Sequence, residues 1–107
     1  MINKLIMETL APLNLPIYFI TRGENPTPCV VFNYIKTPLT FADNTSDLME
    51  YTVLLNLYIE PNRYIDTTRI VSDLMVQHGF IESIFPTGQF DELLGIFNQP
   101  MEFKLFT

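Results

Sequence analysis

Between Met49 and Glu60 the chain alternates for twelve residues. Met49, Tyr51, Val53, Leu55, Leu57 and Ile59 are apolar, and Glu50, Thr52, Leu54, Asn56, Tyr58 and Glu60 between them are mostly polar. Successive side chains of a strand leave on opposite faces, so this run predicts one strand with a greasy face and a wetter one. A sheet built around it needs a cover on one face only, which is the antiparallel α+β arrangement. At about 3.3 Å per residue such a strand reaches roughly 40 Å. That is long for a chain of 107 residues, and it predicts an end that projects beyond the core.

The cover has two candidates. Ile2, Leu5, Ile6 and Leu10 recur at helical spacing, with Lys4 and Glu8 on the other side and Asn3 as the N-cap. Pro12 ends that helix, because the residue before a proline avoids the helical region. A second helix is expected from Arg63 to His78, packing through Ile70, Val71, Leu74 and Met75, with Asp66, Arg69, Asp73 and Gln77 in solvent. His78-Gly79 has the form of a helix C-terminus, with glycine free to take a left-handed conformation.

The other strand candidates are Pro16–Ile20, Cys29–Lys36, an extended piece from Phe80 to Phe85, Leu93–Phe97 and Met101–Phe106. Thr21–Pro28 and Thr37–Asp47 read as loops, Pro86-Thr87-Gly88 as a turn, and Asn98-Gln99-Pro100 as a break between the last two strands. The predicted fold is a single α+β domain over residues 1–107. It is an antiparallel β-sheet with two α-helices packed on one face, in the order α-β-β-β-α-β, with room for one more short strand.

Composition narrows the function. The chain is 48% hydrophobic and only 17% charged, so apolar area should remain for neighbouring subunits to cover. Twelve acidic residues against six basic ones give a net charge of −6, which disfavours wrapping nucleic acid or lying on an anionic membrane. Cys29 is the only cysteine, so no internal disulfide forms. The opening residues carry neither the apolar core nor the cleavage site of a signal peptide, and no apolar run is long enough to span a membrane. Residence in a reducing cytoplasm is the expectation.

Chemistry is hard to assemble from this inventory. His78 is the only histidine and reads as a helix cap, with no serine or cysteine beside it and no third orienting group. Cys29 opens a strand and reads as a small buried hydrophobe. Asp43, Asp47 and Glu50 lack the spacing and glycine of a calcium loop. Gly23, Gly79, Gly88 and Gly95 are too scattered to cradle a phosphate. Asp91-Glu92 reads as a solubilising turn. Phe19, Phe32, Tyr34, Tyr51, Tyr58, Phe97, Phe103 and Phe106 fall at sheet spacing and read as core or interface, because a base-stacking platform would need interleaved cations. No catalytic, cofactor or metal residue is assigned, and the chain is expected to be a non-enzyme.

Three segments carry a resemblance. Pro28-Cys29-Val30-Val31-Phe32-Asn33-Tyr34 leads to Thr40-Phe41-Ala42-Asp43-Asn44. Tyr51-Thr52-Val53 through Leu57-Tyr58 precedes the helix from Ile65 to Gly79-Phe80. Gly95-Ile96-Phe97-Asn98 leads to Met101-Glu102-Phe103. In order and spacing these resemble the tail-completion, or tail-terminator, proteins of phages and prophages with long non-contractile tails, over nearly the whole chain.

The resemblance implies a virion protein, assembled in the bacterial host cytoplasm, that forms a ring, usually a hexamer, at the head-proximal end of the tail. Such a ring stops polymerisation of the major tail tube protein and offers a surface to the head connector or stopper protein, while DNA passes through the lumen without specific binding. Ring closure uses a head-to-tail interface. Phe41, Leu54 and Tyr58 are the interface candidates, and Asp43, Asp47 and Glu50 the lumen-facing acids. A head-closure or connector protein of the neck is the neighbouring alternative. A small ligand-binding module or enzyme is the alternative of a different class.

Overall fold

The computed structural model describes residues 2–21, 28–39 and 48–107. Helix α1 (Ile2–Leu10) runs into a 3-10 turn (Ala11–Leu13), followed by strands β1 (Ile17–Phe19), β2 (Cys29–Pro38) and β3 (Met49–Ile59). Helix α2 (Tyr64–Gln77) precedes β4 (Ile81–Glu82), β5 (Gln89–Asp91) and β6 (Ile96–Phe106). The fold is α+β: two helices and a six-stranded, mostly antiparallel mixed sheet, in the order α-β-β-β-α-β-β-β.

The strand order is β1-β2-β3-β6-β4, and β5 pairs with β6 on the same side as β4. Among the described residues the single parallel pair is β1 on β2, with Ile17 opposite Val30. This departs from an all-antiparallel sheet. Local sequence carries the strand but not the direction of its partner.

The alternation on β3 sets the core. Val53, Leu55, Leu57 and Ile59 are fully buried, and the register places Val30 and Phe32 of β2 and Met101 and Phe103 of β6 on the same face. Ile2, Ile6 and Leu10 of α1 and Val71 and Met75 of α2 close over that face. A chain of rings continues it, with Phe19 against Phe32 at 5.1 Å, Phe19 against Tyr34 at 5.7 Å and Tyr34 against Tyr51 at 5.9 Å between centroids.

Two helix details differ from the sequence reading. α1 already begins at Ile2, so Asn3 lies inside it. Instead of capping, Asn3 Oδ1 accepts a 2.7 Å hydrogen bond from the Tyr34 hydroxyl and ties the helix to β2. On α2 the buried residues are Thr67, Val71, Ser72 and Met75, whereas Ile70 is exposed. Val71 and Met75 pack as expected, but the buried stripe takes in Thr67 and Ser72 in place of Ile70, and the Ser72 hydroxyl is satisfied by donating to Glu82 of β4.

The end of α2 follows the expected chemistry. His78 Nδ1–H donates to the Leu74 carbonyl at 2.8 Å. Phe80 N–H reaches back to Met75 O at 3.0 Å and Gly79 N–H to Val76 O at 3.1 Å, with Gly79 at φ +94°. These bonds form a Schellman cap, and they turn Phe80 into the core.

β6 runs unbroken through Pro100, where a break between two strands was expected, and Leu93 falls in a turn before it. Thr107 exchanges hydrogen bonds with Met49, so the odd-numbered residues of β6 face β3. Pro100 therefore faces the other way, into the gap between β4 and β5, where no ladder needs its missing N–H. Gln99 Nε2–H donates to the Pro100 and Pro86 carbonyls, both at 2.9 Å, and draws residues 83–88 against β6.

The body measures 54 × 25 × 25 Å. Five strands abreast at about 4.8 Å spacing account for the width, so the long dimension lies along the strands. Burial stops short of the strand length: the first four residues of β2 are buried, whereas Asn33 to Pro38 are largely exposed, and Met49 to Thr52 on β3 are half-buried. The overlong strand thus draws the sheet out past its own core into an arm.

Candidate interaction surfaces

The helices cover one face of the sheet, and the even-numbered residues of β3 look out from the other. Leu54 is 36% exposed there, between Asn33 and Glu102. Ile35, Ile81 and Phe106 share the face by register, through Thr52, Lys104 and Glu50, and all three are exposed. Ile84, also exposed, joins Leu54, Pro86 and Pro100 around a groove of about 260 Å³. Gln99 holds Pro86 in place, so the groove wall is fixed by a hydrogen bond. Cys29 and Val31 lie on the same face but are buried.

The free side of β2 is less inviting. Residues beyond Phe32 run past β1, and there Tyr34, Lys36 and Pro38 direct their backbone groups outward. The Tyr34 N–H is taken by Asn33 Oδ1 at 2.8 Å, Lys36 carries a charge, and Pro38 has no N–H. Side-chain capping, lysine and proline are the usual means of discouraging strand addition. Association through the arm therefore favours its faces over its edge.

Of the interface candidates, Leu54 lies on the open face and Tyr58 lies on the same face at the opposite end from the arm, lining a cleft under the turn between β5 and β6. The structure separates these two positions rather than joining them in one patch. Phe41, Asp43 and Asp47 lie outside the described residues. Glu50 is on the open face, with a 3.3 Å ion pair to Lys104.

Several surface residues escaped the sequence reading. Ile84 and Pro86 read locally as an extended piece and a turn, and nothing in their own residues says that Gln99 folds them onto β6. Leu93 and Leu94 read as the start of a strand, which hides them and Phe90 as surface residues. The available signal was Asp91 four residues before Gly95. Asp91 Oδ1 accepts from Leu93 N–H and Leu94 N–H, and its carbonyl accepts from Gly95 N–H at 2.8 Å.

Among the described residues no cluster of three His, Cys, Asp or Glu side chains is placed to hold a metal ion, and no helix is long and apolar enough to cross a membrane. No protein-family model matches the chain, and no curated protein matches it.

Proposed function

We propose that this chain is a structural protein of the tail-completion type, one that assembles head-to-tail with copies of itself into a ring capping the head-proximal end of a phage tail tube. The observation that carries this reading is the open face of the sheet. It bears Ile35, Leu54, Ile81, Ile84 and Phe106 on a body drawn out to 54 Å along its strands. Scattered single hydrophobics are normal on a surface, but a shared face of them is the signature of a protein contact. The blunted β2 edge favours contact through faces over unlimited strand addition, and a head-to-tail face contact whose rotation closes gives a ring. A net charge of −6 suits a channel through which DNA slides without adhering.

Electron microscopy of particles assembled without this gene tests the reading. Overlong tails support a terminator. Full-length tails beside leaking heads transfer the chain to the neck as a head-closure protein. A purified chain that stays monomeric even when mixed with tube ends sinks the assembly reading altogether.

A further inference from the structure

The turn closing the β5–β6 hairpin holds apolar side chains out in water. Leu93 is 97% exposed and Leu94 56%, and Phe90 of β5, just before the turn and on the opposite face of the sheet from Tyr58, is 51% exposed. The bonds from Asp91 fix the backbone beneath them, with Gly95 at φ +67° completing the turn. Leu93 stands almost wholly in solvent at the lip of the turn, and its apolar area stays wet until another surface covers it.

Under the turn lies a cleft of about 450 Å³ that reaches Tyr58 and Asn98 on the open face. Its polar lining is rich in acceptors: the carboxylates of Asp91 and Glu92, the amides of Gln89 and Asn98, and no lysine or arginine. Asn98 Oδ1 is buried without a hydrogen-bond partner. The nearest cation along the chain from β3, Arg63, is bound to Glu60 at 3.1 Å. The Asp91 carboxylate is already tied to the turn N–H groups, but neither it nor Glu92 has a cation beside it in the cleft. Apolar prongs next to that negative charge, with a phenol ring in the lining, suit a cation carried on an apolar segment.

We infer that the β5–β6 turn and the cleft beneath it bind a segment of a different protein in which an arginine or lysine is flanked by apolar side chains. Charge complementarity selects this occupant over a second copy. The chain carries twelve acidic residues to six basic ones. Of the described cations, Lys4, Arg63 and Lys104 are paired with Glu8, Glu60 and Glu50, Lys36 lies over the Tyr51 ring, and Arg69 stands on α2 one turn from both Asp66 and Asp73, whose carboxylates would repel the cleft. A membrane surface is disfavoured as well, since anionic lipid repels carboxylates set beside the leucines. The inference stands apart from the ring reading, because the cleft is present on a single chain.

Fluorescence anisotropy of two labelled peptides, Gly-Leu-Arg-Leu-Gly and Gly-Leu-Glu-Leu-Gly, tests this on the whole chain. The arginine peptide is expected to bind saturably and the glutamate peptide not at all. Leu93→Ser should weaken binding about tenfold, the scale of one leucine losing its cover. Glu92→Gln should weaken it about threefold, the scale of one exposed ion pair. Met7→Ser, at an exposed position on α1, should leave it unchanged. All three sites are on the surface, so an unchanged thermal midpoint shows that each variant is folded. Absence of binding, equal binding of both peptides, or full binding by Leu93→Ser overturns the inference. So does sedimentation showing that Leu93→Ser lowers the oligomeric state of the chain itself, which would assign the turn to a second copy.

Discussion

Val53 and Leu54 are consecutive residues of similar greasiness with opposite fates. Val53 is wholly buried beneath the helices, among Leu55, Phe103 and Val30 in the core cluster. Leu54 stands on the other face, partly wet, beside a groove that none of the described residues fills. The covered face is complete: rings and aliphatic side chains meet from three strands and both helices. The open face has the same strands, and among the described residues no helix lies over it, although Cys29 and Val31 near the β1 end are buried there too. The covered face therefore carries most of the stability of the fold, while the exposed positions of the other, Leu54 and Ile35 among them, can change with little effect on folding and are left to make contacts. That division follows from a side-chain period of two.

Three substitutions break or sharpen the contrast. Val53→Asp should abolish cooperative unfolding and leave the far-UV signal of a denatured chain, because an unpaired buried charge costs several kcal/mol, a large share of a domain's stability. A folded Val53→Asp variant would show that the strand register is wrong. Gly88→Ala should have an intermediate effect. A methyl there would fall 2.3 Å from the Phe97 ring, which is itself stacked on Tyr64 at 4.0 Å. Forcing it in should cost about 1–3 kcal/mol, read as a lower midpoint in urea with the slope unchanged. Leu54→Asp should have the smallest effect on the fold, about 0.5 kcal/mol as for other surface substitutions, while self-association measured by sedimentation falls. If Leu54→Asp unfolds the chain as Val53→Asp does, the two faces are not distinct.

The elements differ in how far they could be read in advance. The β3 alternation was legible because a period of two over so many residues admits one backbone and one partition of faces. The Schellman end of α2 was legible because histidine, glycine and phenylalanine stand in the order that cap requires. The phase of α2 is legible in part: Val71 and Met75 are buried and Asp66, Arg69, Asp73 and Gln77 exposed as the pattern requires, but Thr67 and Ser72 also face inward and Ile70 outward, so hydropathy alone misplaces one edge of the buried stripe. The inward hydroxyl of Ser72 is acceptable only because Glu82 accepts its hydrogen bond, and Glu82 arrives from a later strand. Leu93 and Leu94 looked like the start of a strand because leucine is apolar; the carboxylate of Asp91 outweighed that by capping their N–H groups into a turn. Of the candidate surface, Leu54 and Tyr58 could be placed on one face from sequence, but the distance between them along β3 separates a groove from a cleft.

Pro100 has a consequence for folding. Sliding β6 by one residue against β3 would swing the proline inward, where a missing donor leaves a gap in the ladder. The same slip would turn Met101 and Phe103 away from the helices. Both penalties punish the same error, so this imino acid works as an alignment mark: the chain finds one pairing of its two longest strands and rejects the neighbouring ones.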